Sequence, residues 1–151
     1  MIKNVTSEDD MNQFGQLIGR SLSGGEVIEL VGDVGAGKTT LTKGIAKGLG
    51  VEDYVQSPSF TISRVYKGRG DLSLVHYDFY RLDDAGIMAD ELGEDLGDNS
   101  KVVVIEWGGV VSGVLPHDRV TINLTTITDT ERRLDIQTQG QKGASLENKI
   151  S

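Results

Sequence analysis

Cysteine is absent from the 151 residues of this chain. The protein can therefore form neither a disulfide framework nor a thiolate metal site, which is typical of proteins that work in a reducing cytosol. No segment approaches the roughly 18 apolar residues of a membrane span, and the N-terminal stretch MIKNVTSEDDM is acidic where a signal peptide needs an apolar core. From these absences we expect an intracellular, cytoplasmic protein with no membrane segment.

Positive charge is also scarce. The sequence has 15 Lys and Arg against 23 Asp and Glu, a formal net charge of −8. Proteins that hold nucleic acid directly usually carry clustered excess Lys and Arg, so we expect any RNA to be held by a partner. The length suits one domain with a proper core. We expect residues 1–138 to form that domain and the polar residues 139–151 to be a flexible tail.

One short stretch carries a strong motif. Residues 32–40, GDVGAGKTT, contain the pattern Gly-x-x-x-x-Gly-Lys-Thr, with a β-branched run at 26–31 before it and a helical pattern from Lys38 to Leu49 after it. Glycines let successive backbone N–H groups converge on an anion, and the N-terminus of a helix favours negative charge. A glycine-rich turn could match the pattern by chance, but the strand–loop–helix context favours a phosphate-binding loop.

This loop predicts the contacts to a bound nucleotide. Lys38 would reach the β- and γ-phosphates as a point charge from an exposed loop, and the hydroxyl of Thr39 would coordinate Mg²⁺. The predicted nucleotide-binding residues of the loop are Val34, Gly35, Ala36, Gly37, Lys38, Thr39 and Thr40.

Two acidic residues follow apolar runs that read as strands. Asp78 ends the run in LSLVHYDFYR, and Glu106 ends the run in KVVVIEWGG. Ligands of open α/β sheets lie outside the carboxyl ends of strands, so both carboxylates are expected to face the nucleotide. His76 would share the side of Asp78, and a structural, hydrogen-bonded role is favoured over a catalytic one. Trp107 would point to the face opposite Glu106, as packing or as a partner anchor.

The remaining patterns predict the fold class. A capped amphipathic helix is expected at residues 7–22, where Ser7 precedes three acidic residues. The closely spaced strands around the GRGD and TDT turns favour antiparallel pairing, and therefore a mixed parallel and antiparallel sheet flanked by helices, in a single α/β P-loop NTPase domain. The further predicted strands are at 60–66, 71–77, 101–106, 118–125 and 131–138.

Several segments together resemble one family. GDVGAGKTTLTKGIAKGLG, SPSFTI at 57–62, HYDFYRL at 76–82, IEW at 105–107 and VLP at 114–116 are similar, in order and spacing, to the TsaE family. These are small P-loop ATPases of bacterial tRNA threonylcarbamoyladenosine formation. The resemblance spans residues 7 to 134, and the set of motifs outside the phosphate loop is specific.

The resemblance implies an ATPase, weak alone, that acts with the TsaD and TsaB proteins to modify the adenosine beside the anticodon. It implies contact with tRNA only indirectly, through that complex. By resemblance, Thr39 and Glu106 bind Mg²⁺, and Asp78 lies beside the phosphates of ATP and is needed for activity. Ser7 and Arg132 are the implied nucleotide contacts from the first helix and the final hairpin.

The sequence departs from the family at two places. Ser59 stands where the family more often has threonine in the switch-like SPSF segment, and the retained hydroxyl predicts that the role survives. Gly108 and Gly109 follow the tryptophan where the family often has Pro or Ser and then an acid, so a partner contact there is not expected from the pattern.

Three other classes use a similar loop. A small-molecule kinase needs an acceptor pocket and usually an arginine-rich lid, whereas the arginines here are scattered. A GTPase is disfavoured because the chain has no Asn-Lys-x-Asp guanine signature. A nucleotide-dependent regulatory binding module, in which occupancy matters more than hydrolysis, overlaps with the favoured function.

Overall fold

The computed structural model describes residues 1–56, 62–80, 82, 86 and 88–151. In these residues one sheet is formed by β1 (Ile2–Val5), β2 (Val27–Val31), β3 (Ser63–Lys67), β4 (Ser73–Asp78), β5 (Lys101–Glu106), β6 (Arg119–Thr126) and β7 (Arg132–Gln139). The helices are α1 (Glu8–Ser21), α2 (Lys38–Leu49), α3 (Met88–Leu96) and α4 (Gly140–Ile150), with a short 3-10 helix at Gly108–Val111.

The sheet is mixed, as the sequence predicts. Its strand order is β1-β7-β6-β2-β5-β4-β3. The four central strands β6, β2, β5 and β4 are parallel, whereas β1, β7 and β3 pair antiparallel at the two sides. The predicted antiparallel pairs are confirmed as β3 with β4 and β6 with β7. Positions 60 and 61 of the strand predicted at 60–66 lie outside the described residues.

The central strands are buried on both faces. All four residues from Val102 to Ile105 in β5 have at most 1% of their surface exposed, as expected of a parallel strand covered by helices on both sides. Since β2, β4 and β5 are parallel, their carboxyl ends meet at one edge of the sheet. In this register Asp78 lies directly opposite Glu106, and Leu30 at the end of β2 lies opposite Glu106 on the other side.

The C-terminal residues differ from the predicted flexible tail. Residues 140–150 form α4, and its Leu146 and Ile150 are buried in the main core. The carboxylate of Asp118 accepts hydrogen bonds from the backbone N–H groups of Lys142 and Gly143, both at 3.1 Å. The buried Leu146 and Ile150, four residues apart, and the cap from Asp118 therefore stabilise this helix. The polar composition of the segment did not predict it.

Two further elements were not predicted. The four-residue strand β1 pairs with β7 at one edge of the sheet, and α3 buries only Leu92 among its residues. β1 is too short to give a period, whereas α3 carries Met88, Leu92 and Leu96 at helical spacing, a pattern in the sequence that could have predicted it. No helix in the described part of the chain is long and apolar enough to cross a bilayer.

Helices α1 and α2 touch through their main chains. Glycines lie on both sides of this contact, and a Cβ atom added at Gly19 would stand 2.1 Å from the carbonyl oxygen of Ile45. A Cβ added at Gly48 would stand 2.2 Å from the carbonyl oxygen of Gln16. Because backbone cannot move aside as a side chain can, the glycines fix the distance between the two helices, and with it the distance between their N-termini.

Gly19→Ala is therefore expected to lower the free energy of unfolding by about 1–3 kcal/mol, the range for overpacked sites, in urea denaturation. Gly93→Ala is the matched control, since Gly93 lies in α3 with no atom within 4 Å of an added Cβ. That change should leave stability equal or higher by up to about 1 kcal/mol. Equal stability of Gly19→Ala and the wild type would show that the helices are free to separate.

Candidate functional site

The phosphate-type loop connects β2 to α2 with the expected backbone geometry. Gly35 and Gly37 have φ angles of 84° and 105°, in the left-handed region that side chains disfavour. Gly37 is the N-cap of α2, and its carbonyl oxygen accepts from the N–H of Leu41 at 2.9 Å. The loop therefore delivers the chain directly to the N-terminus of a 12-residue helix, where an anion is favoured.

A cavity of about 830 Å³ opens at this edge of the sheet. All but one of the predicted site residues line it. They are Ser7, Val34, Gly35, Gly37, Lys38, Thr39, Thr40, Asp78, Glu106 and Arg132. Ala36 does not line the cavity. It is buried, and its N–H donates to the carbonyl oxygen of Asp33 at 3.1 Å. The roles of these residues toward a nucleotide remain predictions.

Lys38 is buried rather than exposed, contrary to the expectation for a loop lysine. Only 7% of its surface is accessible. Its Nζ donates to the carbonyl oxygens of Gly32 and Asp33, the latter at 3.1 Å, and lies 4.2 Å from the centroid of the Trp107 ring. Burial lowers the pKa of Lys38, while the carboxylates of Glu106, Asp78 and Asp33 act in the opposite direction. The ammonium group is thus poorly hydrated and surrounded by acceptors.

Trp107 lies on the cavity side, so its predicted position on the opposite face is wrong. Its φ angle of 58° is the only positive value at a non-glycine residue in the described ranges. This left-handed conformation ends the alternation of β5 and turns the ring toward Lys38. Tyr80 packs against it, with ring centroids 4.9 Å apart. The two aromatic rings form a wall of the cavity.

The two predicted carboxylates lie side by side but in different surroundings. Asp78 is half-buried, and its Oδ1 accepts from the N–H of Tyr80 at 3.0 Å. Burial raises the pKa of Asp78, and the neighbouring charge of Glu106 adds to this, while the Tyr80 amide, His76 and Lys38 lower it. Glu106 is only 3% exposed. The Oε2 atom of Glu106 lies 2.5 Å from Nε2 of His76, which is itself fully buried.

The opposite wall comes from α1 and the β6–β7 hairpin. The hydroxyl of Ser7 caps α1 by accepting from the N–H of Asp10 at 3.0 Å. The guanidinium of Arg132 donates from Nη1 to the Thr128 carbonyl at 2.9 Å and from Nη2 to the Gly35 carbonyl at 3.3 Å. Arg132 therefore joins the hairpin to the phosphate-type loop across 97 residues of sequence.

Besides Trp107, six lining residues were not predicted. They are Glu8, Asp9, Met11, Tyr80, Asp129 and Thr130. Tyr80 falls within the HYDFYRL motif, which offered a signal for it. The other five belong to α1 and to the β6–β7 hairpin, segments for which only the family resemblance, through Ser7 and Arg132, implied a nucleotide contact. Ser59 and the SPSF segment at 57–60 lie outside the described residues.

A glycine loop that opens a helix, a lysine within it and two carboxylates at neighbouring strand ends define a P-loop nucleotide-binding protein. The sequence model described as "Threonylcarbamoyl adenosine biosynthesis protein TsaE" matches residues 5–134. The chain therefore belongs to the TsaE family, and the resemblance predicted from its motifs is confirmed.

Individual relatives agree with this assignment. The chain is 39% identical to the TsaE protein of Treponema pallidum, over 86% of this chain and 95% of that one. It is 38% identical to the TsaE protein of Bacillus subtilis, over 84% and 78% of the two chains. The crystal structure of Bacillus subtilis YdiB superposes with a TM-score of 0.82 at 31% identity, covering 99% of this chain and 93% of that structure.

Because the pKa of Asp78 is raised, removal of its charge is expected to increase the stability of the fold. The size of this increase should depend on pH. An ordinary aspartate has a pKa of 3.8; because the folded-state pKa is higher, ionisation of Asp78 costs folding free energy as pH rises from the ordinary value through the folded-state value. Asp78→Asn should therefore raise the melting temperature at pH 7, and the gain should vanish below about pH 3.

Asp98→Asn is the matched control for this prediction. Hydrogen bonds from the Ser100 hydroxyl and N–H lower the pKa of Asp98, so its charge is favoured in the folded state. Its replacement should leave the melting temperature unchanged or lower it at pH 7. A fall in melting temperature for Asp78→Asn would contradict the assigned direction.

Proposed function

We propose that this protein is the ATP-binding and ATP-hydrolysing component of the machinery that forms N6-threonylcarbamoyladenosine in tRNA, acting with the TsaD and TsaB proteins. The observation that carries the proposal is the convergence of Lys38, Asp78 and Glu106 on one cavity at the N-terminus of α2. The role in tRNA modification is supported by the relatives, which are named tRNA threonylcarbamoyladenosine biosynthesis protein TsaE. ATP as the nucleotide and the two partners come from the family resemblance.

Phosphate binding falls to the loop and its lysine. Backbone N–H groups of residues 34–39 and the start of α2 would face the phosphates, as in other helix N-terminal anion sites. Lys38 would exchange its bonds to the Gly32 and Asp33 carbonyls for phosphate oxygens. Since its ammonium is already stripped of water, little further desolvation opposes that exchange.

The residues present fit a magnesium ion that arrives with the nucleotide. Thr39 and Glu106 both line the cavity, and the described residues contain no cluster of three or more acidic or histidine ligands that would hold a metal alone. Mg²⁺ is usually bound through one or two protein ligands, with phosphate oxygens and waters completing its shell. Held by Thr39 and Glu106, such an ion would supply positive charge that stabilises the phosphates.

Asp78 would orient the attacking water. Its carboxylate lines the cavity beside Glu106, and its raised pKa makes it a better proton acceptor than an ordinary aspartate. Most of the catalysis in this class comes from positioning and charge stabilisation, so a single carboxylate that fixes the water is sufficient.

Lys38→Met should weaken ATP binding about 10- to 100-fold, the range for losing a hydrogen-bonded charge. Methionine keeps the length of the side chain and suits a buried site, so the fold should persist. Isothermal titration calorimetry measures the affinity. Lys47→Met, on the exposed side of the same helix, is the control and should bind like the wild type. Equal affinity for Lys38→Met would contradict the phosphate role.

The isolated protein is expected to bind tRNA weakly, because its net charge is −8. Slow ATP hydrolysis is expected because the sequence fixes no arginine finger, a group that another subunit can supply. Adding TsaD and TsaB should raise turnover by at least about tenfold, since groups supplied by another subunit can contribute 10³–10⁵ in rate. Phosphate release with each partner alone and with both provides the measurement. Tight tRNA binding by this chain alone, or turnover indifferent to both partners, would favour a self-contained enzyme.

A further inference from the structure

A buried histidine contacts the proposed magnesium ligand. His76 in β4 and Glu106 at the end of β5 are 0% and 3% exposed, and their Nε2 and Oε2 atoms lie 2.5 Å apart. Beside an ionised carboxylate, which can only accept a hydrogen bond, Nε2 would carry the proton and donate it. The histidine does not line the cavity, whereas Glu106 does.

We propose that His76 is a positioning residue, whose imidazole fixes the Glu106 carboxylate so that its second oxygen meets the divalent cation of a bound nucleotide. This inference rests on the proposed function, in which Glu106 is a magnesium ligand. His76 itself touches neither nucleotide nor metal, and it acts only through the carboxylate.

The polar bonding of the ring supports this role over simple core packing. Within the described residues Nδ1 of His76 is buried and has no hydrogen-bond partner. Leaving a buried nitrogen unpaired costs free energy, so a histidine that served only to fill the core would be better replaced by an apolar residue. The one polar contact that the ring does make in those residues is with Glu106.

The lysine of the site does not take over this task. Among ion pairs of the described residues, the Glu106 carboxylate is paired with His76 and not with Lys38, whose ammonium bonds to loop carbonyls. If the Lys38 ammonium moves to a phosphate, His76 keeps its contact with Glu106, because β4 and β5 are paired in register from Ser73 to Asp78. Carboxylates that ligate metals are commonly held in this way by a hydrogen-bonding neighbour.

Two amide variants of His76 are both polar but differ in whether their N–H group can reach the Glu106 carboxylate. His76→Gln places an amide N–H close to the position of Nε2, whereas the amide of His76→Asn is too short to reach Oε2. The affinity of Mg²⁺ for the ADP complex, measured by calorimetry, should fall about 10- to 100-fold in His76→Asn and recover in His76→Gln. ADP binding in EDTA should not change in either variant. Wild-type Mg²⁺ affinity in a folded His76→Asn protein would overturn the proposal.

Two controls make the failures distinguishable. His117→Gln alters the only other histidine, which is exposed and outside the cavity lining, and should match the wild type. Glu106→Gln should weaken Mg²⁺ binding directly. If Glu106→Gln has this effect and His76→Asn has none, the positioning role alone is wrong. If Glu106→Gln has no effect, the magnesium assignment in the proposed function fails, and this inference fails with it.

The wild-type protein provides a measurement that does not depend on a variant folding. Imidazole ¹⁵N NMR should show a proton on Nε2 of His76. Adding Mg²⁺ to the ADP complex should shift that signal and leave the His117 signals in place. A His76 signal that is indifferent to saturating Mg²⁺ would overturn the proposal even if His76→Asn is too unstable to study.

Discussion

The parallel pairing of β4 and β5 with β2 is the constraint on which the site depends. Parallel strands end at the same edge of a sheet, so the pairing brings the loop after β2 beside Asp78 and Glu106 although 28 residues of sequence separate the two carboxylates. A shift of the register by one residue would turn both side chains to the other face. Such a shift would also break the contact between His76 and Glu106.

The site concentrates buried and partly buried charge at one edge of the sheet. A poorly hydrated lysine, a half-buried aspartate with a raised pKa and a buried glutamate share one edge of the sheet. Such arrangements are common at functional sites because groups that are costly to bury are ready to interact with a ligand. In a chain with excess negative charge, a loop that attracts phosphate must rely on local geometry, and backbone N–H groups and a helix terminus supply it.

Local patterns predicted the parts of the fold that local chemistry decides. The glycine loop, the bounds of α2 and the strand ends at Asp78 and Glu106 follow from residue type and spacing alone. Trp107 was misplaced because alternation assumes extended backbone, and a single left-handed residue ends it. The contacts of Met11 and Asp129 with the cavity depend on how distant segments pack, which no window of sequence contains. α4 was missed because the contacts that stabilise it come from Asp118 and the core rather than from its own composition.

The stacking of Lys38 on Trp107 gives the protein an optical label of its own. The chain has one tryptophan, and its ring lies 4.2 Å from the ammonium that the nucleotide would draw away. Indole emission is sensitive to a nearby charge, so loss of this contact would change the fluorescence of the whole molecule from a single, known position. Occupancy of the site could then be followed in time without dyes or nucleotide analogues, including in the presence of any partner that lacks tryptophan.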